Sequence, residues 1–397
     1  MASEGAKETV QSASEAAISA AKQRQLGLST NQLAVSASWA AVPRSKALTL
    51  LKLPASKAQA DDSETYTGAA GILTQITTLE ISVPATCVCF NREGTHMVTG
   101  GDDKTVRLWE TLPPAEAPAR TWTHGKKIGC VTFSPDGATI LFADLFGEVY
   151  SVSLAAGASA EPELLLGHLS PISHLAFHPT ETTLLSADRE GHVRESAWPH
   201  SFVIDCYYLE HTSPLVLMLA IASAPLVLTS ATDGQTLCAW KAHTGELVRK
   251  YTAAELLGGT SNSDQSSSTS AAIACGCEVK AQGLVALAPK QGGSIHFCAA
   301  SADASGIEAR PALACKLPSG APGAAALSYS ADSAVLCVLL VGGEGVALLP
   351  AAASGQGFGA STLLRFCHVP DAALLAGAAA EVSEDHPNNK KARLESK

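Results

Sequence analysis

Residues 87–109 read CVCFNREGTHMVTGGDDKTVRLW, and this stretch decides the fold. It opens on a short apolar strand ending in an aromatic, Phe90, and breaks at a turn before a second apolar strand starts at Met97. The arrangement returns as CVTFSPDGA around Phe133 and as HLAFHPTET around Phe177, 43 and 44 residues further on. The strand after each turn starts at Met97, Ile140, Leu184 and Val227, at intervals of 43, 44 and 43. Short strands and Gly/Asp turns repeating every 40 to 45 residues or so are the sequence form of a β-propeller blade.

One four-stranded sheet cannot bury its faces, and its open edges invite aggregation; radial packing covers the faces and closure protects the ends. The expected fold is therefore all-β, a seven-bladed WD-repeat propeller. Blades are expected near 31–80, 83–112, 125–154, 167–199, 210–250, 272–299 and 313–350, with a strand near 46–53 or 361–368 completing the ring. Val285 follows Val227 by 58 residues, and the excess matches the polar tract GGTSNSDQSSSTSAA at 258–272, which reads as a flexible insert. The expected organisation is an Ala-rich extension over 1–29, a propeller over 30–369, and a polar tail over 370–397.

Of the 397 residues, 46% are hydrophobic and 16% charged, enough apolar material for a sizeable core. No apolar run reaches the roughly 18 residues of a membrane helix. Glu4, Glu8 and Glu15 argue against a signal or transit peptide, so a soluble intracellular protein without a membrane partner is expected. The net charge of −10 does not suit a chain whose main task is gripping a phosphate backbone. The 11 cysteines include two Cys-x-Cys pairs, Cys87/Cys89 and Cys275/Cys277. Neither has the Cys-x-x-Cys spacing of a structural zinc site, and alternate strand residues share a face, so shared burial accounts for them without a metal.

Thr99, Asp103 and Trp109 in one repeat, and His211, Thr229, Asp233 and Trp240 in another, stand where WD repeats build a buried hydrogen-bond chain. Such a chain runs from Trp through Ser/Thr and His to Asp. Its Ser/Thr, His and Asp resemble a hydrolase triad, but polar groups buried together satisfy one another and leave no exposed nucleophile. A phosphate-binding loop and a dinucleotide fingerprint are both missing, so no catalytic residue and no bound cofactor are expected.

A propeller alone reads only as an interaction scaffold. The distinctive stretch begins LLLGHLSPISHLAFHP at Leu164, continues LLSADREGHVRESAWPHSF from Leu184, and ends VIDCYYLEHTSPLV at Val216. Ala187-Asp188-Arg189-Glu190 is followed by Val193-Arg194, and Ser196 replaces the usual tryptophan. This resembles the fourth-blade signature of the non-catalytic WD-repeat subunit of the eukaryotic tRNA (guanine-N7)-methyltransferase. Leu141 to Tyr150, LFADLFGEVY, is similar to that family's Ala-Asp-x-Phe-Gly-Asp-Val-Tyr. The resemblance covers roughly 83–250. Glu190-Gly191-His192 departs from it where Asp-Glu-Lys is commoner, and Glu210-His211 replaces Gly-His.

The resemblance implies a scaffold that binds a separate catalytic subunit as a heterodimer and stabilises it for N7-methylguanosine formation in the tRNA variable region. S-adenosylmethionine would sit on that partner, and tRNA would be held mainly through the complex. Asp188, Arg189, Glu190 and Arg194 would form the charged docking face, with Trp198 either a rim anchor or a displaced core residue. The alternatives are a substrate receptor of a cullin ubiquitin ligase, which the blade ends LWETLP and CAWKAH disfavour for want of Trp-Asp-x-Arg, and a peptide-binding propeller. The resemblance implies a nucleus, with the cytoplasm as second candidate; Lys390, Lys391 and Arg393 offer a short basic cluster.

Overall fold

A computed structural model describes residues 33–43, 47–53, 76–80, 85–156, 160–257, 271–317, 323–332, 334–340, 345–350 and 362–365. Seven antiparallel sheets follow one another along the chain, each built from consecutive strands. The second blade runs Ala85–Phe90, His96–Gly101, Thr105–Glu110 and Arg120–Thr123; the third Ile128–Phe133, Thr139–Asp144, Glu148–Ser153 and Glu163–Gly167. The fourth comprises Ile172–Phe177, Thr183–Asp188, Val193–Ala197 and Ile204–Tyr208, and the fifth Leu215–Ala220, Leu226–Ala231, Thr236–Lys241 and Glu246–Thr252. The inner strand of each blade touches that of the next, and the seventh (Ala324–Ser330) touches the first (Ala34–Val35). The ring is closed.

Seven buried apolar clusters occupy the seven seams between blades. The third and fourth blades, for example, share Leu141, Val149, Ile172 and Leu184, while the fourth and fifth share Leu185, Tyr208, Val227 and Trp240. This is why the chain carries so few charges: both faces of every sheet are covered. In blades two to seven the pairing of the first two strands shifts register near the start of the inner strand, as between Ile172 and His174. Such bulges bend and twist a strand. The extra residue can also reach across the seam: Thr86 Oγ1 donates to the Ile128 carbonyl of the next blade at 3.0 Å.

The blade ranges expected from the repeat need correction at their outer edges. The strands Arg120–Thr123, Glu163–Gly167, Ile204–Tyr208 and Ile307–Ala309 are outer strands of blades, not linkers. Each buries a single residue, so none shows the alternation that marks a strand in sequence. Ring closure also differs. Thr362–Arg365 completes the seventh blade, whereas Ala47–Lys52 is the third strand of the first, and neither crosses to another sheet. Residues 1–29, most of the polar tract (258–270), the tail 370–397 and its basic cluster lie outside the described residues. No helix among the described residues is long and apolar enough to cross a membrane.

Candidate docking site on the fourth blade

In the second blade Trp109 Nε1 donates to Thr99 Oγ1 at 2.9 Å. In the fifth, Trp240 Nε1 and His211 Nε2 both meet Thr229 Oγ1 at 2.8 Å. The two aspartates do not complete these chains. Asp103 accepts from the Thr105 hydroxyl at 2.8 Å and pairs with Arg107; Asp233 accepts from the Gln235 amide at 3.1 Å. They cap their own turns.

The third and fourth blades use another aspartate, two residues after the position of Thr99 and Thr229 instead of four. Asp144 Oδ1 accepts from the amides of Phe146 and Glu148 at 2.8 and 3.1 Å, and Asp188 Oδ1 from those of Glu190 and His192 at 2.9 and 3.1 Å. The second oxygen of each meets a histidine, His124 at 3.3 Å and His168 at 3.4 Å. His168 goes on to Ser186 Oγ at 2.8 Å, so the fourth blade has its own chain of His168, Ser186 and Asp188, with no tryptophan. Burial opposes ionisation of Asp188, yet hydrogen bonds from His168 and the His192 amide outweigh it and hold its carboxyl below the usual range. Asp188 was expected on the docking face. In the structure its carboxylate is buried and bonded within the blade, while the residue forms part of the wall of the rim cleft that Arg194 also lines.

The same turn explains a departure from the family pattern. Gly191 has φ +89°, and a Cβ there would lie 2.6 Å from the Ser213 carbonyl of the next blade's approach. Only glycine fits such a close, left-handed turn.

Register places Arg194 opposite Ser186, as Arg107 stands opposite Thr99, while Ser196 takes the place of Trp109 and Trp240. The outcome is different. Arg107 finds Asp103, but Arg194 Nε donates to Ser196 Oγ at 2.8 Å and its terminal nitrogen to the Ser201 carbonyl. Arg194 is 9% exposed, and among the described residues no carboxylate lies within ion-pair distance of it. Burial lowers its basicity.

Arg194 lines a cleft of about 580 Å³ at the rim that carries the turns between second and third strands. Leu169, Ser170, Glu190, Tyr207 and Leu209 line it too. Leu169 is fully exposed, Leu209 is more than half exposed, and Tyr207 is half exposed. Phe146, also exposed, sits in the adjoining turn of the third blade, where the His168 amide donates to the Gly147 carbonyl at 2.8 Å. Arg189 and Glu190 stand at the mouth with half-exposed side chains 4.0 Å apart, and Ser170 Oγ donates to Glu190 at 3.2 Å. The structure thus brings Glu190 and Arg194 to one cleft, with Arg189 beside Glu190 and not part of the lining. Trp198 is not with them: it follows the third strand, at the opposite end of the blade, packed edge-on against Phe177 with centroids 5.0 Å apart. It is a displaced, half-buried core residue. Missed from the sequence were the apolar rim residues Leu169, Tyr207 and Leu209, whose signal was their place in polar approaches between blades.

Residues 155–291 match the family described as the tRNA methyltransferase TRM82 WD40 domain, and residues 74–110 match a WD domain, G-beta repeat. Curated relatives are named tRNA (guanine-N(7)-)-methyltransferase non-catalytic subunits. That of Xenopus laevis is 29% identical over 163 residues, covering 41% of each chain. The human one is 31% identical over 162 residues, covering 39% of this chain and 37% of the relative. That of Eremothecium gossypii is 31% identical over 129 residues, 32% of this chain and 29% of the relative. The matched stretches thus span less than half of these relatives' lengths. The resemblance noted at 141–216 therefore falls largely inside the matched family segment. Among solved structures, a chain of the mitotic checkpoint complex superposes with a TM-score of 0.60 at 14% identity, covering 86% of this chain and 87% of that one. The Cps50 (Swd1) β-propeller domain of Myceliophteria thermophila gives 0.57 at 9% identity, covering 79% and 93%. These two likenesses concern the fold alone.

Proposed function

We propose that this chain is a non-catalytic propeller subunit of a tRNA (guanine-N7)-methyltransferase, holding the catalytic subunit on the rim of its fourth blade. One observation carries the reading: Arg194 is a buried guanidinium, bonded only to neutral groups, at the wall of an open cleft. A buried charge without a counter-charge is costly, and a partner carboxylate entering the cleft would supply one. Leu169, Tyr207 and Leu209 would close around that carboxylate and exclude water, which strengthens the pair. Arg189 and Glu190, at the mouth, would steer approach and set orientation.

In this reading S-adenosylmethionine and the methyl transfer belong to the partner, the assembly is a heterodimer acting in the nucleus, and tRNA is held mainly by the complex. The fold and the relatives' names support a scaffold role; the acidic net charge suits a subunit that leaves most of the RNA grip to another chain. Charge reversal at half-exposed Arg189 tests the docking face. Arg189→Glu is expected to weaken capture of the purified catalytic subunit several-fold while leaving thermal melting unchanged. Undiminished capture removes Arg189 from the face, and normal N7-methylguanosine in the tRNA of cells lacking this chain refutes the function itself.

A further inference from the structure

On its other face the strand that carries Arg194 holds a second buried charge. Glu195 is fully buried, and its Oε1 accepts from Thr183 Oγ1 at 2.6 Å and lies 2.7 Å from His243 Nδ1. Its Oε2 accepts from Tyr208 OH and from the His243 amide at 3.1 Å, with Cys206 Sγ at 3.6 Å. Thr183, Cys206 and Tyr208 belong to the fourth blade; His243 belongs to the turn after the third strand of the fifth. The seam between the two blades is thus fastened through one carboxylate.

Two further observations mark this seam. His243 is a non-glycine residue at φ +63°, a left-handed conformation that costs energy unless its surroundings hold it, and Glu195 holds both its amide and its ring. The ring of His178, from the first turn of the fourth blade, packs edge-on against that of His243 at 4.6 Å. His178 is buried, and its Nε2 has no hydrogen-bond partner. The titratable groups gathered here are therefore Glu195, Cys206, Tyr208 and His178 from the fourth blade and His243 from the fifth, with Asp205 next in chain to Cys206.

We propose that Glu195, His243 and His178 form a proton-operated latch between the fourth and fifth blades, closed when at most one imidazole is charged and released when both are. With one cation the carboxylate is paired; with two, the imidazolium rings face each other 4.6 Å apart while Glu195 is within ion-pair distance of His243 alone. Burial and neighbouring His243 hold the His178 imidazole below its ordinary 6.5. The open seam therefore binds a proton more readily than the closed one, and falling pH through and below 6.5 drives opening. Glu195 acts in the same direction further down. Burial opposes its ionisation, but the Thr183 and Tyr208 hydroxyls and the His243 amide outweigh this and hold it below 4.5, so its contribution too is lost as acid is added. Opening would free the strand from which Arg194 reaches the cleft; that consequence alone rests on the docking reading.

Amide hydrogen exchange of the full chain at residues 194–197 and 243–245, followed from pH 7.5 to 5, tests the latch. After correction for intrinsic exchange, opening is expected to grow by up to about tenfold per pH unit below 6.5, because one proton is taken up. His178→Gln is expected to flatten this slope, since only one ring can then charge. A wild-type slope in His178→Gln overturns the proposal. Should that variant fold poorly, NMR titration of the wild-type His178 imidazole decides: it must titrate together with the loss of protection, and titration at constant protection overturns the latch. Acid-sensitive protection with acid-insensitive capture of the catalytic subunit would sink the docking reading and leave the latch standing.

Discussion

Replacing Arg194 by methionine separates docking from folding. In the isolated chain the change removes a buried guanidinium and its two hydrogen bonds, to Ser196 Oγ and to the Ser201 carbonyl. Leaving each of those two acceptors unpaired costs about 1–3 kcal/mol. Removing a buried charge that has no carboxylate partner offsets part of this; replacing whole buried ion pairs by apolar side chains returns about 1–4 kcal/mol. The two partly cancel. Melting is expected to move by a few degrees, at about 2–4 °C per kcal/mol for chains somewhat shorter than this one. Docking has no such compensation. A partner carboxylate brought into the cleft of Leu169, Tyr207 and Leu209 would meet a methyl group, and truncating one side of a buried pair costs about 2–5 kcal/mol. That corresponds to a Kd raised by about 30-fold to a few thousand-fold. Titration calorimetry of the two purified subunits measures the second quantity and scanning calorimetry of the variant the first. An affinity within about threefold of wild type, with melting unchanged, refutes the argument. A collapse of melting would instead make Arg194 a structural residue.

Two stability predictions probe the neighbouring machinery. Gly191→Ala forces a Cβ at φ +89° to within 2.6 Å of the Ser213 carbonyl and should destabilise the chain by about 2 kcal/mol or more, whereas Gly125→Ala, with nothing within 4 Å, should be near neutral. Urea titration of both variants checks the contrast, and equal midpoints would contradict the close approach. Trp240→Phe removes the donor to Thr229 and thins the packing against Tyr208 across the seam, for a loss of about 1–3 kcal/mol in the same assay. A midpoint equal to wild type would mean that the Trp–Thr–His chain of the fifth blade adds nothing measurable.

The repeat was legible because it rests on short-range physics. Phe90, Phe133 and Phe177 recur where an apolar strand meets a turn, and strand periodicity and turn chemistry are both written in neighbouring residues. The two Trp-to-Thr bonds were legible for the same reason, since each blade repeats one local pattern. Outer strands were not. Ile204–Tyr208 buries only Tyr208 along its length, and a strand covered on so little of its surface leaves no alternation to read.

The candidate site divides along the same line. That Asp188, Arg189, Glu190 and Arg194 share one blade followed from their closeness in sequence, and their choice as a docking set from the family resemblance. Which of them meets solvent did not, because orientation depends on what the other blades bring. Asp188 turns inward because His168, arriving from the previous blade, supplies its partner. Arg194 is left without a carboxylate because Glu190, at the turn position where Asp103 serves Arg107, lies beside Arg189 at the mouth of the cleft. Glu195 is held ionised in the core because the Thr183 and Tyr208 hydroxyls donate to it and the His243 amide joins them from a separate sheet 48 residues along the chain. Local patterns name the elements; the charge state and exposure of a side chain are set by contacts across the seams, and those exist only once the ring has closed.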